Sequence, residues 1–212
     1  MRHYSFTDTF LSNILQCIRT ATQKPATSMR ESPAARLPEP QLDLKDIQYS
    51  AALMRVNHTG EVCAQALYLG QGLTTRNPTL QKLFKEAAHE EADHLAWCQT
   101  RLTELNSHTS YLNPLWFTGS LLIGTCAGLL GNRFSLGFLA ETENQVYRHL
   151  GSHLEKLPIQ DTKSRAIVQT MQAEEALHAN NAMHHGGSEL PLPVKEGMRW
   201  LAKIMTSIAA IL

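Results

Sequence analysis

An acidic residue on the apolar face of a helix restricts what this sequence can fold into more than any other feature. In Ala87 to Cys98, which reads AAHEEADHLAWC, a helical rotation of about 100° per residue places Glu91 on the stripe formed by Leu80, Phe84, Ala87, Leu95, Cys98 and Leu102. His94, three residues on, lies about 60° from Glu91, so an oxygen and a nitrogen on adjacent turns can grip one metal ion. Burying an unpaired carboxylate costs several kcal/mol, and a cation offsets that cost. The arrangement returns in MQAEEALHAN, where Glu175 and His178 share a stripe with Val168, Met171 and Ala182.

Helical phase also separates these pairs from their neighbours. Glu86 and His89 spell the same Glu-x-x-His but fall more than about 130° from Glu91, on the face carrying Asp93, and read as a solvated surface. Glu90 and Glu174 lie about 100° from the neighbouring acids, at the border of the apolar stripe, and read as surface charge. A helix expected from about Leu44 to Gly72 adds a third inward acid, Glu61, aligned with Ile47, Met54, Asn57, Ala64 and Tyr68. His58, at the edge of that stripe, is assigned a hydrogen-bonding role. Asn77 and Pro78 read as an N-cap and first helical residue for the helix bearing Glu91. In a helix from about Leu136 to Leu157, Glu143 shares the direction of Leu136, Leu139, Leu150, Leu154 and Leu157, whereas Glu141 points the opposite way and His149 and His153 flank the stripe.

The result is a repeat: one inward Glu, then Glu-x-x-His about thirty residues later, once in each half of the chain. Four acids with two neutral histidines carry about four negative charges, which two divalent cations neutralise and one zinc does not. An oxygen-rich set with nitrogen and no thiolate suits iron or manganese. Six positions on four helices match the ligand pattern of ferritin-like di-metal carboxylate bundles, so the expected fold is all-α: a four-helix di-iron bundle with added membrane-associating helices.

Composition bounds the rest. A chain of 212 residues, 43% of them hydrophobic, can bury one sizeable core, and a net charge of zero argues against a nucleic-acid partner. Cys17, Cys63, Cys98 and Cys126 form no Cys-x-x-Cys pair and read as buried apolar fillers in a reducing compartment. Residues 1–41 are expected to be a flexible segment, with a short amphipathic piece at Phe6, Phe10, Ile14 and Ile18 before a mobile linker rich in proline. Residues 42–212 form the expected metal-binding domain. Leu105 to Asn132 holds no Asp, Glu, Lys or Arg. A membrane span there would separate the two ligand sets, so 112–131 is expected to be an apolar crossover helix inserted from one side. Ser120, Gly124, Ala127, Gly128 and Gly131 would give it a close-packing face, leaving Leu115, Leu122, Leu129 and Leu130 for lipid or another subunit. Pro158 and Asp161 mark the break before the helix bearing Glu175, which should stop at Gly186-Gly187. Residues 194–212 are amphipathic and resemble an interfacial helix.

The stretches RVNHTGE, EEADHLAWC, LNPLWFTGS, LGFLAETENQV and QAEEALHA resemble the bacterial 3-demethoxyubiquinol 3-hydroxylases of ubiquinone biosynthesis, across roughly Leu42 to Leu212. The resemblance implies a peripheral monooxygenase on the cytoplasmic face of the cell inner membrane. It would hold two iron ions per chain and use O2 and a reductant to hydroxylate the ring of a polyprenylated demethoxy-benzoquinol. The family's metal ligands carry over onto Glu61, Glu91, His94, Glu143, Glu175 and His178. Candidate partners are the polyprenylated quinol, the lipid surface, a second copy of the chain and other ubiquinone-biosynthesis proteins. The rival reading is a ferritin-like iron-binding or ferroxidase protein without an organic substrate, since one fold hosts both roles.

Overall fold

The computed structural model describes residues 28–212, and every regular element among them is a helix. They are α1 (Leu44–Thr74), α2 (Pro78–Glu104), α3 (Asn113–Leu129), α4 (Asn132–Lys156), α5 (Thr162–His184) and α6 (Leu192–Ala209). Three of the six starts, those of α1, α2 and α5, are set by side-chain acceptors for otherwise unpaired amides. Asp43 accepts from Asp46 N, Asn77 from Thr79 N and Leu80 N with Pro78 behind it, and Asp161 from Ser164 N. After α5 the chain turns through Gly186 at φ 98°, a conformation that favours glycine.

Helices α1, α2, α4 and α5 form the bundle; α1 pairs with α2 and α4 with α5, and each pair touches the other through α2–α5 and α1–α4. All these neighbours are antiparallel. Gln65 reaches Ala88, Asn57 reaches His153 while Gln71 reaches Ser135, Arg101 reaches Ser164 while His94 reaches Glu174, and Gln172 reaches Tyr147 while Arg165 reaches Leu154. The halves are therefore related by a pseudo-two-fold, as the repeat requires. One apolar cluster, including Met54, Trp97, Leu102, Leu150, Ile167 and Met171, fills one end; a second, including Tyr68, Phe84, Leu136, Leu139 and Ala182, fills the other. Each large side chain so buried contributes about 1.5–3 kcal/mol. The inward acids lie between the two clusters.

Helix α3 crosses back along α1 at very close range. A Cβ on Gly70 would lie 2.5 Å from the Leu121 carbonyl oxygen, and one on Gly124 would overlap the Leu67 backbone. Gly124, Ala127 and Gly128 form the expected small face and are buried. Gly131 is not on it: at φ 100° it is the exposed turn into α4. Leu115, Leu122, Leu129 and Leu130 are exposed, as are Trp200 and Leu201 of α6. The α6 N-terminal turns pack on Ala127 and Phe138 through Val194 and Met198, and its end returns to the start of α3, where Tyr111 N donates to Leu212 O. No described helix is long and apolar enough to cross a membrane.

Residues 28–41 hold contacts that a reading as loose linker did not anticipate. Ala34 is buried in the core, and Glu39 reaches Arg101 and Lys163. Arg101 itself is fully buried, with its guanidinium on Ser164, Asp161, Glu104 and Glu39. The amphipathic piece expected at Phe6 to Ile18, Pro25 and Cys17 lie outside the described residues.

Candidate metal centre

Glu61 on α1, Glu91 and His94 on α2, Glu143 on α4, and Glu175 and His178 on α5 converge on one spot halfway along the bundle. They form two overlapping sets, Glu61–Glu91–His94–Glu175 and Glu91–Glu143–Glu175–His178, each with ligand atoms within 4.8 Å of one another. Glu91 and Glu175 belong to both sets, as carboxylates that bridge two ions would. The four acids and His94 are buried; only the edge of His178 reaches solvent. His94 Nδ1 lies 3.0 Å from Glu91, 3.3 Å from Glu175 and 3.5 Å from Glu61. His178 Nδ1 lies 3.3 Å from Glu175 and 3.4 Å from Glu91. In both rings Nδ1 is the atom that faces the acids.

The opposite nitrogens answer a question the sequence left open. His94 Nε2 lies 2.7 Å from Glu174 and His178 Nε2 lies 2.6 Å from Glu90. Glu90 and Glu174 are therefore not idle surface charges: each accepts the outer N–H of the histidine on the opposite helix, which leaves the Nδ1 lone pair free for a cation. The doubled acid in EEADH and EEALH was the available signal. What misled the phase argument was counting each acid against its own helix, when its partner comes across the antiparallel α2–α5 seam. Asp93 is likewise not solvated, because Ser28 Oγ, Met29 N and Arg30 Nε all donate to it.

The electrostatics show what the cluster lacks. Burial, and then the charge of Glu91, push Glu61 well above the ordinary carboxyl range, and burial with Glu175 does the same to Glu143. Burial acts in the same direction on Glu91, but hydrogen bonding with Glu61 and the nearby His94 and His178 hold it well below that range. Burial opposes a charge on His178, yet Glu175 and Glu91 raise it to about 12; Glu91 and the other acids raise His94 similarly against its burial. Without cations, Glu61 and Glu143 favour their protonated forms. Glu91 Oε1, both oxygens of Glu143 and Glu175 Oε1 have no hydrogen-bond partner among the described residues. Orphaned buried oxygens facing one point are what divalent cations satisfy, so the donor set fits two ions.

The remaining histidines have other work. His58 is buried beside the Asn113 amide, and burial lowers it to about 4. His153, expected to flank the stripe, is instead buried: Nδ1 lies 2.7 Å from Asn57 Oδ1, and burial lowers it to about 3. The His149 ring packs against it at a tilt of 57°, and burial lowers His149 to about 4. Glu86 and His89 are exposed, as expected. Glu141 does point away from the cluster, but α6 covers it, and Lys195 and Arg148 approach it. Cys98 packs its thiol against Met171 Sδ, whereas Cys126 is exposed rather than a buried filler.

An antiparallel four-helix bundle with an inward Glu and Glu-x-x-His from each half defines the ferritin-like di-iron carboxylate class. Within that class, the chain belongs to the family described as Ubiquinone biosynthesis protein COQ7, whose profile matches residues 48–209. It is 55% identical over 185 residues to the 3-demethoxyubiquinol 3-hydroxylase of Nitrosospira multiformis, covering 87% of this chain and 89% of that protein. The proteins of the same name from Azotobacter vinelandii and Coxiella burnetii are each 51% identical. The first alignment covers 97% of this chain and 95% of its relative, the second 98% and 96%.

Proposed function

We infer that this chain is a monooxygenase that hydroxylates the ring of 3-demethoxyubiquinol in ubiquinone biosynthesis, giving 3-demethylubiquinol. The observation that carries the inference is the convergence of six ligands, five of them buried, with orphaned oxygens, in a chain whose relatives carry that activity by name. A ring C–H becomes C–OH with one oxygen atom of O2, and the other leaves as water after two electrons and two protons are supplied. Two iron ions held by the six residues would supply the O2 activation. The protein's own part is to hold that centre. Glu174 and Glu90 keep a proton on each outer nitrogen and so aim Nδ1 inward, while the apolar clusters at both ends exclude water.

The substrate's polyprenyl tail resides in lipid, and the exposed leucines of α3 with Trp200 and Leu201 of α6 are the surface proposed to lie on the cytoplasmic face of the inner membrane without crossing it. An uncharged α3, with Arg199 and Lys203 as modest cationic help on α6, supports hydrophobic attachment. This apolar face also favours a lipid substrate over the iron-storage reading, because a storage bundle needs no such surface. The test supplies iron-loaded protein with a short-tailed 3-demethoxyubiquinol, isotope-labelled O2 and a reductant. One labelled oxygen in the ring product is expected; oxidation of iron with no ring product would favour storage. Replacing Leu122 and Leu129 by Asp should abolish high-salt-resistant vesicle binding while iron content stays unchanged.

A further inference from the structure

The two halves supply equivalent ligands, but only one is braced from outside. Glu174 is held by a bidentate Arg30: Nη1 donates to Oε1 at 2.8 Å and Nη2 to Oε2 at 3.0 Å. Arg30 Nε donates to Asp93 at 2.7 Å, its guanidinium lies 4.9 Å from the centre of the Trp97 ring, and Trp97 Nε1 donates to Ser28 Oγ at 3.1 Å. The Trp97 ring in turn lies 5.4 Å from that of His94. Five side chains on three segments thus fix one imidazole, from the strap Ser28–Arg30 inward.

The pseudo-two-fold mates of Asp93 and Trp97 are Leu177 and Asn181, which offer a strap neither a carboxylate nor a ring. On that side Glu90 meets His178 with no cation partner among the described residues, and its side chain is 49% exposed against 23% for Glu174. A cleft of about 380 Å³ lies between α2 and α5, with the strap's Met29 and Arg30, Asp93 and Glu174 along one wall and Glu90, Leu177 and Asn181 along the other; of the two histidines only His178 lines it, its side chain 10% exposed against 0% for His94.

We propose that the strap Ser28–Arg30 makes the two ion positions unequal. The His94 position is the retained one, and the His178 position is the one that loads and exchanges, through the cleft between α2 and α5. Arg30 acts as a positioning residue: its two-pronged contact holds the Glu174 carboxylate in place against His94 Nε2, so that His94 presents Nδ1 with its ring already oriented. A planar two-pronged guanidinium meets this geometric demand and an ammonium does so only partly. Glu90 must hold His178 in competition with water. Outer partners of this kind change metal affinity by about 10–100-fold.

The proposal rests on the six residues being ligands of two ions, and the test separates the two claims. Full-length protein is equilibrated anaerobically with Fe(II) and graded chelator, and bound iron per chain is counted. The wild type should lose its ions in two steps, the tighter one surviving in His178→Ala and the weaker one in His94→Ala. Arg30→Ala should weaken the tight step about 10-fold and leave the weak step in place. Arg30→Lys should recover part of the loss, and Glu90→Gln should move only the weak step. Arg36→Ala, which removes an exposed strap charge paired with Glu31, should move neither. A general loss of fold would shift both steps together, so Arg30→Ala weakening both equally, or neither, overturns the proposal. A single wild-type step for two ions overturns it while leaving the site reading intact; absence of bound iron refutes both.

Discussion

Helix α2 carries two ionic clusters two turns apart, one around His94 and one around Arg101, and they differ in whether the protein supplies the cations its acids need. At Arg101 the guanidinium meets Asp161, Glu104 and Glu39, with Lys163 adding a second cation against Glu39 and Glu104. Around His94 four carboxylates converge on two histidines, and several oxygens remain without partners. The first cluster pairs its charges on protein alone, with Asp161 Oδ2 its one buried oxygen lacking a hydrogen-bond partner among the described residues, and ties 28–41 and the end of α2 to the start of α5. The second closes only with something added. Burial by itself therefore does not mark a functional site; unbalanced burial does.

The sharpest way to break this contrast is at Glu143. Replacing it by Ala should cost at least one bound ion and abolish hydroxylation, whereas Glu141→Ala, whose carboxylate meets Lys195 and Arg148 on the other side of α4, should keep both iron and turnover. Iron counting with product detection decides it, and equal damage from both changes would break the assignment of faces on α4. Next in size is a difference of sign in the metal-free protein. Arg101→Met should lower unfolding free energy by about 3–5 kcal/mol, because buried Asp161 loses its partner. Glu143→Gln should leave the metal-free protein as stable as before or raise its stability by about 1 kcal/mol, since the neutral amide replaces an acid that burial forces to hold a proton. Denaturant titration reads both, and a large loss in Glu143→Gln would mean that the acid cluster is complete without cations.

The smallest effect at neutral pH concerns His153, held neutral by burial at about 3 against an ordinary 6.5. Its folded value is depressed, so the unfolded chain takes up the proton first. Stability from this group is full above about pH 6.5 and declines as pH falls from there toward 3, at up to about 1.4 kcal/mol per pH unit. His153→Gln should flatten the acid side of the stability curve without changing iron content. An unchanged slope would show that His153 does not contribute to it.

How far the sequence reached follows from what helical phase can report. Phase is a property of one helix, and Glu61, Glu91, Glu143 and Glu175 could be picked because each belongs to the apolar stripe of its own helix. Contacts made across helices left no such mark. Glu174 for His94, Glu90 for His178 and Asn57 for His153 depend on which faces meet, and that is decided by the antiparallel α2–α5 and α1–α4 packing. Arg101 was passed over for the same reason, since a lone arginine beside Leu102 reads as a border charge until Asp161 and Ser164 arrive from α5. The hold of Arg30 on Asp93 and Glu174 bridges more than sixty and more than a hundred residues of chain, respectively. Nothing in a proline-rich segment announces such a bridge.

The near-contact of α3 with α1 has a mechanical consequence. Phe117 on the inner side of α3 packs with Val62 and Leu95, the immediate neighbours in sequence of Glu61 and His94, while Leu115 and Leu122 project from the same helix outward. Because Gly70 and Gly124 let the two backbones touch, little compressible side-chain padding lies between them. Helix α3 is thus a stiff lever: a load applied to its outer leucines reaches the wall behind two of the ligands with little slack, and substituting Ala for Gly124 would alter the fulcrum rather than either end.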